Sequence, residues 1–221
     1  MNKKAMFLAV FVGLIMGIGT AYAKDTDFYS DGFSLPVLDG VWQSVSDVGD
    51  AQFSLSAKPG NLSIIAEGDV FARTILSFGG DFTVETQLGV KPSDDLQGAG
   101  LILWVKPGLN LILIRGMKDG KNVIDFAGVS ENELTEHFAV DYSKSYVYLR
   151  IVRQGDSFTA WYSEDGAEWI RIGTIQTALT PNLKAGVFAM NGSSGSIQAD
   201  FNYFRIHTSE GKQGKKGKFL N

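Results

Sequence analysis

The chain has 221 residues, no cysteine and a formal net charge of −4 at pH 7. The absence of cysteine excludes disulfide bonds, thiolate metal sites and a cysteine nucleophile. An acidic chain repels phosphate backbones, so nucleic acid is not an expected partner.

The first 23 residues have the pattern of a secretory signal peptide. Lys3 and Lys4 precede an apolar stretch over residues 5–19, and residues 21–23 form an A-x-A cleavage site. An uncleaved membrane helix is the alternative, but the apolar stretch is shorter than the roughly 20 residues that a bilayer span requires. We therefore expect an exported protein, periplasmic or extracellular, with no membrane span after cleavage.

Residues 24–209 show the periodicity of β-strands. Apolar and more polar side chains alternate in residues 82–90 and 197–203, whereas residues 146–153 and 157–162 are rich in β-branched and aromatic side chains. About twelve to fourteen strands are expected from the segments between turn sequences. The best helical candidate, residues 130–137, is short and charged, and is interpreted as one turn or a loop.

Turn sequences separate the strands at short intervals. Lys106-Pro107-Gly108 joins two uniformly apolar segments that are typical of central strands. Many short strands with Gly-rich turns predict one all-β domain over residues 24–209, a two-sheet antiparallel jelly-roll sandwich. The pairs expected to supply the positive φ of tight turns are Asp39-Gly40, Gly79-Gly80, Asp119-Gly120 and Asp165-Gly166.

Charge is distributed unevenly along the chain. Residues 24–209 carry 14 Lys and Arg against 23 Asp and Glu, a net charge of −9, whereas residues 210–221 carry four Lys and one Glu. This tail is rich in Gly and Lys and has little apolar surface to bury, so it is expected to be disordered. Contact with an anionic surface and a solvated end without a role are its two interpretations.

Three segments in chain order resemble the concanavalin A-like lectin/glucanase superfamily. The first begins with Asp31 and Phe33 and ends at Trp42; the second, residues 97–113, resembles a strand containing the sequence AGL and its neighbour. The third, residues 149–169, is the most diagnostic, because it resembles a strand–turn–strand followed by an S-x-D-G-x-x-W hairpin. The sequence is most similar to a bacterial domain of unknown function found in exported proteins and to the related C-terminal module of family-43 β-xylosidases.

The resemblance implies a concanavalin A-like sandwich, but its motifs consist of turn glycines and packing aromatics, so the fold transfers and the function does not. Glycosidases need two carboxylates across a cleft, and the E-x-D-x-x-E motif of sandwich-fold glucanases does not occur. Glu131 and Glu133 lie in a charged stretch interpreted as an exposed loop.

Two further segments resemble strands of alginate lyases. Residues 73–76 are similar to R-T-E-L, with Ile75 in place of the acid, and residues 183–188 are similar to K-A-G-x-Y. The Q-[IV]-H segment of those enzymes is missing, and the two histidines, His137 and His207, stand elsewhere. Lyase chemistry therefore lacks its base.

Six residues are candidates for contact with an oligo- or polysaccharide. A pyranose presents an apolar face and a rim of hydroxyls, which amphipathic rings and polar groups complement. Because Trp161 and Tyr162 are adjacent on a predicted strand, they should face opposite ways, and only one should lie in the core. Core or hairpin packing is the alternative for each ring. The six candidates are Trp104, Asn110, Arg115, Tyr148, Trp161 and Tyr162.

The resemblance also implies a structural calcium ion between the terminal strands, held by carboxylates and backbone carbonyls, with Asp31 and Asp200 as its side-chain ligands. The alternative is that Asp31 caps a turn and Asp200 faces solvent. No other cofactor is expected, since the two histidines lack metal-ligand spacing.

These features together favour an exported, non-catalytic module that binds carbohydrate or assists glycan metabolism. Two alternatives stay open: a glycoside-active enzyme, either a hydrolase or a lyase, with an unrecognised catalytic pair, and a protein–protein interaction domain that uses a sheet face or edge. No sequence feature predicts an oligomeric state.

Overall fold

The computed structural model describes residues 26–130, 133–179 and 182–208, which form fifteen β-strands and no helix. None of these ranges contains a helix long and apolar enough to cross a bilayer. The predicted signal peptide (1–23) and basic tail (210–221) lie outside the described residues.

The strands are β1 (Thr26–Asp31), β2 (Gln43–Val48), β3 (Ala51–Ser54), β4 (Leu62–Glu67), β5 (Val70–Gly79), β6 (Phe82–Val90), β7 (Gln97–Lys106), β8 (Leu109–Lys118), β9 (Lys121–Ser130), β10 (Glu133–Asp141), β11 (Tyr146–Gln154), β12 (Ser157–Ser163), β13 (Ile170–Gln176), β14 (Asn182–Asn191) and β15 (Ser196–Thr208).

The strands form two antiparallel sheets. Sheet A has eight strands in the order β13-β12-β11-β6-β15-β4-β3, and β1 pairs with the part of β15 that lies beyond β4. Sheet B has seven strands in the order β10-β9-β8-β7-β14-β5-β2. The predicted all-β class with two antiparallel sheets is confirmed.

The main core lies between the two sheets and follows from the alternation of each strand. On β6, Val84 and Leu88 are fully buried, whereas Thr83 and Gln87 on the opposite face are only half-buried. Sheet B contributes Leu101 and the other inward residues of its strands to the same cluster. Each such Val or Leu side chain stabilises the fold by about 1.5–3 kcal/mol relative to exposure.

The segment from Asp31 to Trp42, the first one that resembles the superfamily, covers one part of this core. The Asp31 carboxylate accepts hydrogen bonds from the Phe33 backbone N–H and from Trp42 Nε1, both at 2.8 Å. The Trp42 ring, held in this way, packs edge-on against Phe204 with 5.1 Å between ring centroids. The segment therefore serves packing, because it holds the loop after β1 against β15.

Three of the four predicted tight-turn pairs adopt positive φ. Asp119 and Gly120 have φ of 51° and 71° between β8 and β9, and Gly80 and Gly166 are also positive. Gly40 is not among the glycines with positive φ, so that prediction was wrong. The turn there is closed by a 3.0 Å hydrogen bond from the Trp42 N–H to the Asp39 carbonyl.

The expectation of a helical turn or loop over residues 130–137 was also wrong. Residues 133–141 form β10, which pairs with β9, while Glu131 lies outside the described residues. Because β10 is an edge strand of sheet B, it carries charged side chains that a central strand would exclude. That charge made the segment resemble a solvated loop.

Candidate functional site

The centre of the outer face of sheet A is Glu85. Its neighbours Val84 and Thr86 are fully buried between the sheets, so alternation directs Glu85 outward. Residues directly opposite each other on neighbouring strands share a face. Such residues form one row across five adjacent strands: Arg171 on β13, Trp161 on β12, Arg150 on β11, Glu85 on β6 and Arg205 on β15.

The Glu85 carboxylate is held by donors on both oxygens. Arg150 donates to Oε2 from Nε at 3.1 Å and from Nη2 at 2.8 Å, and the Tyr203 hydroxyl donates to Oε1 at 3.3 Å. Arg205 Nη1 and His207 Nε2 lie 3.8 and 4.0 Å from Oε1. Only 9% of the Glu85 side chain is exposed. Charge-assisted bonds of this kind fix the geometry of a buried carboxylate.

Tyr203 acts in this arrangement as a neutral donor. Burial, and then the charge of Glu85, raises the pKa of the Tyr203 phenol well above its ordinary value. The hydroxyl therefore keeps its proton at neutral pH and directs it to Glu85.

Five aromatic side chains surround this charged centre. Trp169, which lies between β12 and β13, stacks on Arg150 with 3.5 Å from its ring centroid to the guanidinium carbon. The Tyr203 ring lies 4.2 Å from the guanidinium carbon of Arg205. The rings are Tyr146, Tyr148, Trp161, Trp169 and Tyr203, of which Tyr146 is exposed and the others are half-buried. We call these rings, together with Glu85, Arg150 and Arg205, the sheet A platform.

The outer face of sheet B carries an apolar cluster instead. Ile102 and Phe188 are fully buried although they point away from the main core, because neighbouring side chains close over them. Ile75 and Trp104 are buried with them. The partly buried residues that pack around this cluster are Phe71, Ile112, Ile114 and Met190.

Trp104 and Asn110, two of the predicted sugar contacts, lie together on this apolar face. They are directly opposite each other on β7 and β8, and both are buried. The guanidinium carbon of Arg73 lies 3.6 Å from the Trp104 ring centroid, and Arg73 also forms an ion pair with Asp47. Burial lowers the pKa of Arg73. The Trp104 ring is therefore covered by protein rather than presented to a ligand.

Arg115 is buried, and Tyr162 is half-buried against the main core. Arg115 donates to the carbonyls of Lys144 and Gly116 at 3.1 and 2.8 Å and to Asn122 Oδ1 at 2.8 Å, so its guanidinium ties β8 to the connection before β11. Burial lowers the pKa of Arg115. Tyr162 packs against the main core and edge-on against Tyr142, with 5.6 Å between ring centroids. Both side chains serve packing.

Tyr148 and Trp161 are thus the two predicted sugar contacts that the structure brings together on one accessible face. Trp161 and Tyr162 face opposite ways, as alternation requires, and Tyr162 is the one that packs against the core. Sequence reasoning missed Glu85 and Arg150, the charged pair at the centre of the platform. Each is a charged residue at an outward position of an alternating strand, which was the available signal in the sequence. Because the two residues are 65 positions apart, that signal does not show that they pair.

The two predicted calcium ligands belong to separate hydrogen-bond clusters. Asp31 faces Trp42, as described above, whereas Asp200 accepts from Ser63 Oγ at 2.7 Å, from Gln198 Nε2 at 2.8 Å and from Lys58 Nζ at 3.3 Å. Within the described ranges, no group of three His, Cys, Asp or Glu side chains could hold a metal ion. A structural calcium ion held by Asp31, Asp200 and backbone carbonyls stays a prediction.

An apolar cleft lies beside β3, away from the platform. Leu35 and Val37 nearby are 66% and 70% exposed. The cleft is lined by Pro36, Val37, Leu38, Phe53, Leu55 and Leu62. The side chains that line it carry no hydrogen-bonding group.

Residues 30–207 match the family model described as the β-xylosidase C-terminal concanavalin A-like domain. A comparison with curated proteins found no match.

Solved structures show the same fold. The GH43 protein BlXynB of Bacillus licheniformis aligns with a TM-score of 0.68 and 20% identity over 80% of this chain and 39% of its own. A bifunctional GH43-CE protein of Bacteroides eggerthii aligns with a TM-score of 0.68 and 23% identity over 88% of this chain and 26% of its own. The carbohydrate-binding module CBM66 of Bacillus subtilis aligns with a TM-score of 0.56 and 13% identity over 76% and 96%. The chain spans less than two-fifths of the GH43 proteins that it resembles.

Proposed function

The chain belongs to the family of β-xylosidase C-terminal concanavalin A-like domains, and on that basis we propose that it is an exported, non-catalytic module that binds carbohydrate through the sheet A platform. Family membership and the likeness to a carbohydrate-binding module support a carbohydrate-related role. The signal-peptide pattern of residues 1–23 supports export to the periplasm or the exterior.

The observation that carries the proposal is the combination of rings and fixed polar groups on one open sheet face. Stacked rings complement the apolar face of a pyranose, and Arg and Glu side chains complement its hydroxyls. On the platform, Trp161 stands directly opposite Arg150, which is bonded to Glu85. This geometry is set before any ligand arrives, which lowers the entropic cost of binding.

The non-catalytic part of the proposal is supported by the state of Glu85. A general acid must hold and release a proton within reach of the scissile bond. Both oxygens of Glu85 already accept hydrogen bonds from Arg150 and Tyr203, which suits a fixed polar contact. The absence of the E-x-D-x-x-E sequence points the same way.

A binding experiment with the full chain tests this proposal. The protein and its Trp161→Ala variant are titrated against a panel of neutral and acidic plant and bacterial polysaccharides, by affinity electrophoresis and calorimetry. We expect the wild-type protein to bind at least one of them and Trp161→Ala to bind it roughly tenfold or more weakly, as at a typical interface hot spot.

Trp104→Ala is the matched control, because Trp104 lies on the opposite outer face, under Arg73. It should lower the melting temperature and leave glycan affinity unchanged. Binding by no glycan, or equal loss in both variants, would contradict the platform as the site. Release of reducing ends or unsaturated sugars by the wild-type protein would contradict the non-catalytic role.

A further inference from the structure

The exposed charges of the sheet A platform are positive, although residues 24–209 are acidic as a whole. Its carboxylate, Glu85, lies deep and is bonded to protein donors, with 9% of its side chain exposed. Arg205 and Arg150, which pair with it at 3.8 and 2.8 Å, are 43% and 28% exposed. A ligand that approaches the platform therefore meets these two arginines before the carboxylate.

Arg205 is the more accessible of the two platform arginines. Among the described residues its one ionic partner is Glu85, whose Oε2 is already engaged by Arg150. The ring of Tyr203 supports its guanidinium from one side. A supported, planar guanidinium with free donors is the group that proteins use to bind carboxylates in a bidentate manner.

The arginines in the row that contains Glu85 repeat at a regular interval across the sheet. Arg171, Arg150 and Arg205 stand on β13, β11 and β15, which are every second strand in the order β13-β12-β11-β6-β15. Neighbouring strands are about 4.8 Å apart, so successive arginines are roughly 10 Å apart and the row spans about 19 Å. Trp161 lies between the first two.

That interval matches a ribbon-like chain of linked pyranoses. In an extended 1,4-linked chain with two-fold symmetry, alternate sugar units present their substituents on the same side, so like substituents recur every second unit, close to the spacing of the arginines. A chain laid across the strands could then place one ring on Trp161 and successive carboxylates beside Arg150 and Arg205. Neutral sugars would add no ionic partner to the two arginines, which share the single carboxylate of Glu85.

We infer that the ligand of the sheet A platform is a polyuronate, an acidic polysaccharide that carries a carboxylate on its sugar units and lies across the strands of sheet A. This inference rests on the proposed function, since it names the ligand class of the same site. Arg205 and Arg150 receive carboxylates, and Trp161 stacks against a pyranose ring.

The test compares polygalacturonate with its fully methyl-esterified form, which has the same backbone and no charge. The full chain should bind polygalacturonate at least tenfold more tightly, and the difference should shrink as salt is raised, because exposed charges are screened. Arg205→Gln should remove most of that preference. Lys121→Gln, the same loss of one charge at the β8–β9 turn of sheet B, should keep it.

Chain length gives a second measurement that does not depend on a variant. Hexagalacturonate should bind more tightly than digalacturonate, because only the longer chain reaches from Arg171 to Arg205. Equal affinity for the two oligomers would contradict the proposal that the ligand lies along the row of arginines.

Two outcomes separate this inference from the proposed function. Suppose that the charged and esterified polymers bind equally and that Trp161→Ala abolishes both. This result would contradict a polyuronate ligand and leave the proposal of carbohydrate binding intact. Binding of neither polymer nor any other glycan would overturn both. Tighter binding of dextran sulfate, a sulfated glucan without carboxylates, would overturn the assignment of a carboxylate ligand.

Discussion

The outer faces of sheets A and B contain the same contact, an arginine stacked on a tryptophan, in opposite surroundings. On sheet B, Arg73 lies 3.6 Å from the Trp104 centroid, and its side chain is only 6% exposed. On sheet A, Arg150 lies 3.5 Å from the Trp169 centroid, and its side chain is 28% exposed. The arginine of sheet B is enclosed by an apolar cluster, whereas that of sheet A borders a carboxylate and open rings.

The difference shows that contact type alone does not identify a binding face. A stacked pair enclosed by an apolar cluster that includes Ile75 and Phe188 has no free surface to offer a ligand. The stacked pair of Arg150 and Trp169, beside Glu85, leaves polar atoms and ring surface accessible to a ligand. The comparison therefore predicts stability effects on sheet B and binding effects on sheet A.

The largest effect is expected for Phe188→Ala on sheet B. Phe188 is fully buried in the outer cluster, so its removal leaves a cavity and should cost about 3–5 kcal/mol of unfolding free energy. Chemical denaturation measures the loss. Val45→Ala, a truncation at an exposed position on the edge strand of the same sheet, should cost much less. Equal costs would mean that the sheet B cluster is not packed as a core.

A smaller effect is expected for Glu85→Gln on sheet A. The Gln amide keeps the shape of the side chain but lacks the charge that Arg150 faces. The substitution should therefore cost about 1–3 kcal/mol of unfolding free energy, as for a largely buried, hydrogen-bonded group. Glu164→Gln is the matched control. Its ion pair with Lys144 is shorter, 2.6 Å, but half-exposed, so its loss should cost less than about 1 kcal/mol. If urea unfolding shows a larger loss of unfolding free energy for Glu164→Gln than for Glu85→Gln, Glu85 is not the charged centre of the platform.

The smallest effect concerns Asp165, whose turn carries Trp169 to the platform. Its carboxylate accepts the backbone N–H groups of Glu168 and Ala167 at 2.9 and 2.8 Å, and these bonds lower the pKa of Asp165 below its ordinary value of 3.8. A lowered folded-state pKa means that the stabilisation is complete above the unfolded-state value and is lost as pH falls through the folded-state value.

Asp165→Ala should therefore unfold at a lower temperature than the wild-type protein at neutral pH, and the gap should close in acid, below pH 3.8. Thermal unfolding followed at several pH values measures this gap. Glu168→Ala, on the same turn, serves as the control and should show no such dependence. A gap that persists unchanged into acid would show that the carboxylate charge is not what stabilises the turn.

Much of the fold could be predicted from the sequence, because its signals are local. Alternation identified strands such as β6 and β15, and Asp119-Gly120 was correctly placed in a tight turn with positive φ. The edge strand β10 was missed, since its charges mimic a loop when its pairing with β9 is unknown.

Less of the candidate site could be predicted. Tyr148 and Trp161 were identified by residue type, but Trp104 and Arg115 were chosen on the same grounds and lie buried under Arg73 and beside Asn122. Residue type indicates what a side chain can contact. It does not indicate what already covers it.

The sequence by itself determined the all-β class, the strand periodicity and the opposite orientation of Trp161 and Tyr162, because each depends on neighbours along the chain. Only the tertiary structure decided which of those two rings faces the core. It also joined Glu85 to Arg150 and aligned the arginines of β11, β13 and β15 in one row. Strand pairing and sheet packing act between residues distant in sequence, so no local pattern encodes which residues meet.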